Sequence, residues 1–204
     1  QEEAQVFFNQ GLNLAFAFNH AESHRSFLEA SRLDPTAAMT FWGQAYVLGP
    51  NINDQIPDAE RRLKAYEANQ KALGLLTNSR PLEKALINAL SKRYSKDTLA
   101  DLKTLNMSYM QAMSQVAQDY PDNADVLTLF AASIMNTVPW DYWDAQGDPS
   151  PNVPAAKQAL EKAMQINPNH PGAHHYYIHM VELPKPDLAV PSAEKLSTLM
   201  PGAG

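Results

Sequence analysis

The chain contains no cysteine, which excludes disulfide bonds and thiolate metal ligands and is compatible with either a reducing or an oxidising compartment. Glycine is also sparse, with 8 in 204 residues, and strand-like alternation of polar and apolar residues is hard to find. Segments rich in alanine, leucine and glutamine favour helix, so the composition predicts an all-α protein. Because the 45% hydrophobic content is spread evenly, we expect a single domain over residues 1–204.

The chain also lacks a cluster of positive charges and a long apolar run. The net charge is −6, and lysines and arginines occur singly or in pairs, which argues against a phosphate backbone as partner. Every apolar run is broken by Asn, Gln or His within about ten residues, short of the roughly 20 that span a bilayer. We therefore expect neither a nucleic-acid partner nor a transmembrane segment.

The two ends of the chain bear on its origin. It begins at Gln1 without a methionine or an apolar signal segment, so it is either a processed mature chain or starts at an internal boundary. The first alternative favours an exported protein, periplasmic in a bacterium, over a cytoplasmic one. The segment SAEKLSTLMPGAG stops where a further helix would begin, so we expect the protein to be truncated at the C-terminus and to continue beyond residue 204.

Four helical stretches end at a proline, and the spacing of these prolines predicts the architecture. The last two prolines are 33 residues apart. The gaps of 47 and 86 residues before them correspond to one and two units of about 34 residues with insertions. This spacing predicts a helix-pair repeat. The four dipeptides are Asp34-Pro35, Tyr120-Pro121, Asn167-Pro168 and Met200-Pro201.

The first unit, residues 2–35, has small residues where two helices must approach closely, including Gly11, Ser23 and Ala30. In this pattern the chain resembles the tetratricopeptide-repeat (TPR) family. The resemblance implies antiparallel helix pairs stacked as a right-handed solenoid with insertions, and a concave groove that binds protein or peptide. Further stretches resemble a bacterial TPR subgroup without a defined activity, namely FNHAES, DPTAAMTFWGQA, GPNIN, PWDYW and HPGAHHYYIH with Glu182. In that subgroup a histidine-containing segment follows a turn like the final PGAG, which implies that some site residues have partners downstream.

Two segments interrupt the repeat, at residues 49–57 and 137–154. The second contains four prolines and a glycine, which forbid a helix, and yet three large aromatic residues in four positions. Because these rings would bury several hundred Å² together, we expect the loop to fold back on the helices, either plugging a groove or lining a pocket. The candidate lining residues are Trp42, Asn51, Asn53, Trp140, Tyr142, Trp143 and His174.

The densest ligand chemistry lies between residues 167 and 184. Pro171 as a first helical residue and Pro184 just past the end predict a helix of about three turns. His175, His179 and Glu182 then lie within about 60° of one another on one face. They form a partial ligand set for a divalent metal such as zinc, copper or iron, with Glu182 as third ligand or general base. The alternative is a set of hydrogen-bonded core histidines.

His20 is a further candidate metal ligand, although a solvated helix face capped by Asn19 is a sufficient explanation of the surrounding polar residues. No Gly-rich phosphate loop, Gly-x-Ser-x-Gly elbow or His-Glu-x-x-His pair is present, so the sequence favours a protein that is not an enzyme. Two functions stay open. One is a module that recognises a peptide or protein segment in its groove, and the other is a metal-binding or metal-dependent protein using the cluster on helix 171–183. The sequence does not fix the oligomeric state.

Overall fold

A computed structural model describes residues 1–201 and shows regular structure that is helical throughout this range. Two isolated bridges, Asn51–Asp54 and Trp143–Pro149, are the only β-type pairings among residues 1–201. The predicted all-α class is confirmed. The α-helices are α1 Glu2–Phe16, α2 His20–Leu33, α3 Ala38–Leu48, α4 Ala59–Gly74, α5 Pro81–Ser91, α6 Leu102–Asp119, α7 Ala124–Met135, α8 Val153–Ile166, α9 Pro171–Val181 and α10 Val190–Leu199, with 3-10 turns at Leu76–Asn78 and Pro186–Leu188.

Polar side chains fix where several helices begin. The side chain of Asn19 accepts a hydrogen bond from the N–H of Glu22, which confirms the cap expected for α2. Asp58 caps α4 through a 2.8 Å bond from the N–H of Arg61. Each cap satisfies a backbone donor that the first helical turn leaves without an intrahelical partner.

The Cα positions group the chain into two compact units, the first covering residues 1–112 and the second beginning at Met113, within α6. Inside the first unit, α1 packs on α2, α2 on α3, α3 on α4 and α4 on α5. Inside the second unit, α7 packs on α8, α8 on α9 and α9 on α10. Packing of each helix on the next is the arrangement of a helix-pair repeat, so the chain has a TPR-like helical fold. The single-domain organisation stays a prediction.

Small residues allow the close helix contacts of the first unit. The ring of Phe27, which is completely buried, lies against Gly11 of α1 and Gly43 of α3. A β-carbon on Gly11 would lie 2.9 Å from this ring, and one on Gly43 would lie closer still. Ser23 on the same helix as Phe27 donates a 2.6 Å hydrogen bond to the carbonyl of Gly11. The small residues that the repeat pattern contains are thus the ones that let α1, α2 and α3 meet.

The predicted breaks are both present, and the loop between α7 and α8 is packed as expected. Tyr142 is 3% exposed, and the indole Nε1 of Trp143 donates a 2.7 Å hydrogen bond to the carbonyl of Met180 on α9. Trp140 departs from the expectation, since 45% of it stays exposed. Residues 202–204, which form most of the expected PGAG turn, lie outside the described residues. Within residues 1–201 we find no helix with the length and apolar character needed to cross a bilayer.

Candidate functional site

The histidine-rich helix α9 begins as the sequence predicts, at Pro171, and His170 is the residue that caps it. The Nδ1 of His170 accepts a 3.0 Å hydrogen bond from the N–H of Ala173. Its Nε2 lies 2.9 Å from the carboxylate of Asp125, at the start of α7. The side chain of His170 is buried, and these two contacts give both ring nitrogens a partner. His170 therefore has a structural role, joining the starts of α7 and α9.

The predicted cluster of His175, His179 and Glu182 is brought together at the end of α9. The Nε2 atoms of the two histidines lie 3.1 Å apart, and the Nδ1 of His179 lies 2.9 Å from Glu182 Oε1. Since a carboxylate only accepts, the neutral His179 ring carries its proton on Nδ1 and presents a lone pair at Nε2. Glu182 thus contacts the ring edge opposite to the Nε2 atoms and orients His179 in this geometry.

The cluster is half-buried. Its side chains are 20% exposed for His179 and 41% exposed for Glu182. Among residues 1–201 no three His, Asp or Glu side chains converge where they could hold one metal ion. The two Nε2 atoms are therefore the donors that fit a metal here, and further ligands would come from water or from a bound molecule. The three-ligand site stays a prediction.

His174, one residue before the cluster, has a different environment. It is 8% exposed, its Nδ1 lies 3.0 Å from the hydroxyl of Ser192 on α10, and its Nε2 lies 3.0 Å from the carbonyl of Pro168. Both ring nitrogens have partners inside the protein. His174 links α9 to α10 as a hydrogen-bonded core histidine.

The aromatic loop forms one side of the histidine cluster. The ring of Trp140 meets the ring of His179 edge-on, with centroids 5.3 Å apart. Trp140 has a φ of 64°, in the left-handed region, which a tryptophan adopts only when its surroundings hold it there. Burial raises the pKa of Tyr142, and the nearby charge of Glu182 raises it further. The loop residues Trp140, Tyr142 and Trp143 therefore all face α9 or the residue that follows it.

The other candidate lining residues lie in the first unit. Trp42 is 2% exposed in α3, and its indole stacks on Tyr46 with centroids 5.3 Å apart. Asn51 organises the loop after α3, because its Oδ1 accepts hydrogen bonds of 2.9 and 3.0 Å from the N–H groups of Asn53 and Asp54. Asn53 itself is exposed. These residues shape the loop 49–57 and the helix before it.

His20, the possible additional ligand of the sequence analysis, is the first residue of α2. Its two ring nitrogens are buried and have no hydrogen-bond partner within residues 1–201. Burial lowers its pKa to about 4, the positive charges of Arg61 and Arg93 lower it as well, and only Asp54 opposes them. His20 is therefore neutral at neutral pH. Its ring lies near two positively charged side chains, Arg61 and Arg93, and an imidazole that binds a metal does not need such neighbours.

A groove in the second unit escaped the sequence analysis. Its volume is about 480 Å³, and it runs between the end of α6, α7 and α8. The signal for it is a stripe on α8, where Gln158, Lys162 and Gln165 recur at helical spacing. Such a stripe is ordinarily a solvated face, which is why the sequence alone does not identify it. The lining residues are Ser114, Ala117, Gln118, Leu127, Phe130, Ala155, Gln158, Ala159, Glu161, Lys162 and Gln165.

Comparison with solved structures gives distant similarity over almost the whole chain. The chain is similar to "MamA 41-end" from Desulfovibrio magneticus RS-1, at 15% identity and a TM-score of 0.39, covering 98% of this chain and 95% of that one. It is also similar to a MamA RS-1 ArsTM double mutant, at 16% identity and a TM-score of 0.39, covering 98% and 94%. No protein-family model and no curated protein matches the chain. The fold class therefore rests on the helices and their packing.

Proposed function

We propose that the protein is a helical-repeat binding module that holds a peptide segment of a partner protein in the groove between α6, α7 and α8. The observation that carries this proposal is the groove itself, about 480 Å³ in volume. Its lining combines apolar side chains with amides. Leu127 and Phe130, one turn apart on α7, line it together with small alanines from α6 and α8.

The polar groups of the groove suit a peptide backbone. The amides of Gln118, Gln158 and Gln165 each offer a donor and an acceptor, as a peptide unit does. An extended peptide presents N–H and C=O groups that need such partners when it leaves water. Side chains of the peptide would pack on Leu127 and Phe130. The lining thus combines backbone recognition with two apolar contacts.

The charges at the groove are already neutralised by neighbours. Lys162 pairs with Asp122 at 3.0 Å, and Glu161 pairs with Lys157 at 2.5 Å. Glu161 also accepts a 3.2 Å hydrogen bond from the hydroxyl of Tyr177. A ligand with a large charge of either sign would gain little here. The groove therefore favours a segment with few charges over a strongly acidic or basic one.

Selection from a random peptide library displayed on phage, with the whole 204-residue chain as bait, tests this proposal. Because a single groove buries less surface than a full protein interface, we expect selected peptides to bind with dissociation constants on the order of micromolar. Gln158→Arg places a long charged side chain in the groove and should weaken binding about tenfold or more. The affinities of synthetic peptides are measured by fluorescence anisotropy.

The matched control is Gln115→Arg, which makes the same change on an exposed part of α6 that does not line the groove. Gln115 donates a 2.9 Å hydrogen bond to Asp119 in its own helix, so the fold does not depend on it. Peptide affinity should be unchanged in this variant. Equal weakening in both variants, or a library that yields no binding peptide, contradicts the proposal.

A second candidate function is metal binding, favoured by the 3.1 Å approach of the Nε2 atoms of His175 and His179. Two imidazole nitrogens this close can hold one divalent ion, once His175 shifts its proton to Nδ1 and both Nε2 lone pairs are free. The hydrogen bond from His179 Nδ1 to Glu182 is the kind of outer contact that fixes the tautomer of a metal-bound imidazole.

Thermal unfolding of untagged protein, with and without zinc, copper(II) or iron(II), tests the metal function. If the pair binds metal, excess ion should raise the melting temperature and chelator should reverse the rise. His179→Gln should abolish the effect, and His24→Gln, a histidine of the other unit, should retain it. An unchanged melting temperature in the parent protein, or an equal rise in His179→Gln, contradicts metal binding at this pair.

A further inference from the structure

Three of the six arginines bind a glutamate through the same edge of the guanidinium, and Arg61 binds its carboxylate differently. Arg25, Arg32 and Arg80 each direct Nε and Nη2 at the carboxylate of a glutamate three residues away. These two nitrogens form one edge of the guanidinium, where two parallel N–H bonds match a carboxylate. Arg61 instead uses Nη1, which lies 2.5 Å from Asp54 Oδ2. Its Nε and Nη2 are buried and have no hydrogen-bond partner within the described residues 1–201.

His20, which is close to Arg61, also has both ring nitrogens buried and without a hydrogen-bond partner in the described part of the chain. The charge of Arg61 is the largest electrostatic influence on the His20 ring after burial itself, followed by those of Asp54 and Arg93. These four side chains, contributed by α2, the loop 49–57, α4 and the segment after α5, therefore meet in one region of the first unit.

The backbone before His20 is held in an unfavourable conformation. Phe18 has a φ of 60°, in the left-handed region, and its ring stacks on the His20 imidazole with centroids 6.0 Å apart and planes 16° apart. For a bulky residue this conformation is unfavourable and persists only when the surroundings enforce it. Stacking by Phe18 restrains the plane of the imidazole, so whichever ring nitrogen carries the proton donates within this plane.

Arg93 is held in place by its own partners. Its Nε donates to Asn106 Oδ1 at 2.9 Å, and its Nη2 donates to the carbonyl of Pro50 at 2.8 Å. The guanidinium also lies over the ring of Tyr109, 5.1 Å from the centroid. Arg93 therefore supplies a fixed positive charge near His20 without offering its bonded nitrogens to a ligand.

The charges and donors of this region together define the chemistry it would bind. Arg61 and Arg93 are positive, Asp54 is negative and His20 is neutral, so the region carries one excess positive charge. Unpaired buried N–H donors destabilise the folded protein, and an acceptor that pairs with them removes this cost. A carboxylate has one negative charge and two oxygens, which match the Nε and Nη2 edge of Arg61. A doubly charged phosphate would give the region a net negative charge, and Asp54 would repel it about twice as strongly as a carboxylate.

We propose that His20 and Arg61 form a binding site for the carboxylate group of a small organic acid. One carboxylate oxygen accepts from Arg61 Nε, the other accepts from Arg61 Nη2, and the N–H of His20 donates to one of them. Asp54 is a positioning residue, because its bond to Nη1 holds the guanidinium and leaves the Nε and Nη2 edge for the ligand. This site lies wholly in the first unit and is independent of the groove proposed for peptides.

Nuclear magnetic resonance of the whole isotope-labelled chain at pH 7 tests the site, with sodium acetate as the probe and sodium chloride at equal ionic strength as reference. Acetate should shift the Arg61 Nε–H and His20 ring signals in a saturable way. The Nε–H signals of Arg25, Arg32 and Arg80, which already bind carboxylates, serve as internal controls and should stay in place. Arg61→Lys keeps the charge but removes the two-bond edge, so acetate affinity should fall about tenfold or more.

Arg32→Lys is the matched control, since it makes the same replacement at an exposed ion pair and should leave acetate binding unchanged. Chloride shifts equal to those of acetate would overturn the site, as would acetate shifts that move all four arginines alike. Saturation by inorganic phosphate at lower concentration than acetate would overturn the carboxylate class. If Arg61→Lys does not fold, as judged by circular dichroism, His20→Phe takes its place, because it keeps a ring and removes the proposed N–H donor, and it should also weaken acetate binding.

Discussion

The two histidine pairs of this protein have the same spacing in sequence and opposite environments in the structure. His20 and His24 in the first unit, and His175 and His179 in the second, are both one helical turn apart. In the first pair, His20 has buried ring nitrogens without partners within residues 1–201 and is surrounded by cations. In the second pair, His179 contacts His175 and Glu182 at a half-buried surface.

The difference shows that the spacing of four residues places two imidazoles on one helix face. The neighbouring helices and loops then determine the charge and hydrogen bonds of these imidazoles. For His20 those neighbours are an arginine of α4, an arginine after α5 and a loop aspartate. For His179 they are a glutamate from its own helix end and a tryptophan from the loop between α7 and α8. The first arrangement keeps an imidazole neutral among positive charges, and the second orients it towards another imidazole. Three measurements test this contrast.

The largest expected effect concerns pH and His20. Its folded pKa of about 4 lies below the usual 6.5, so the unfolded chain binds a proton more readily between these two values. The contribution of neutral His20 to stability is complete above pH 6.5 and is lost as pH falls through this window, by up to about 3 kcal/mol at pH 4. Urea unfolding of the parent and of His20→Gln across pH 4 to 8 measures it. The carboxylates titrate in both proteins, so parallel curves would contradict the buried neutral state.

A smaller effect is expected at His174. Replacing it with Ala leaves the Ser192 hydroxyl and the Pro168 carbonyl without their partner in a buried site, which should cost about 1–3 kcal/mol of unfolding free energy. His174→Phe restores most of the volume and none of the hydrogen bonds, so it separates packing from polar contacts. Denaturant unfolding at pH 7 gives both values. A His174→Phe variant as stable as the parent would show that the hydrogen bonds contribute nothing net.

The smallest effect is expected at His179. Its contacts with Glu182 and His175 lie at a half-buried surface, where water replaces a lost partner, so His179→Ala should cost only about 0.5–1 kcal/mol in the absence of metal. The same unfolding measurement, with chelator present, checks this value. A loss larger than that of His174→Ala would reverse the order and show that the cluster, rather than His174, is the polar centre of the second unit.

Local signals allowed much of the fold to be predicted from the sequence. The start of α9 at Pro171, the Asn19 cap of α2 and the two breaks between helices were all correct, because proline and capping residues act on the nearest turn of the backbone. The packing of the aromatic loop was also correct for Tyr142 and Trp143, since burying large rings is favourable, whereas Trp140 stays 45% exposed.

The sites were predicted less completely, because their partners are distant in sequence. Periodicity placed His179 and Glu182 on one face, and the side-chain conformations decide that Glu182 meets Nδ1. Ser192 follows His174 by 18 residues, and nothing between them indicates the contact. Arg61 looks in sequence like an ordinary charge on an amphipathic helix. Its unpaired edge becomes visible only when α2 and the loop 49–57 are placed around it.

The position of Phe27 between two glycines has a consequence for how the first three helices move. The backbone of α1 at Gly11 and that of α3 at Gly43 both rest on a single ring of α2. Detaching α1 therefore exposes a face of Phe27 that α3 alone cannot cover, so opening one helix loosens the other contact as well. The three helices should exchange their amide hydrogens as one cooperative block, with the amides of α1 protected to a degree similar to those of α2 and α3.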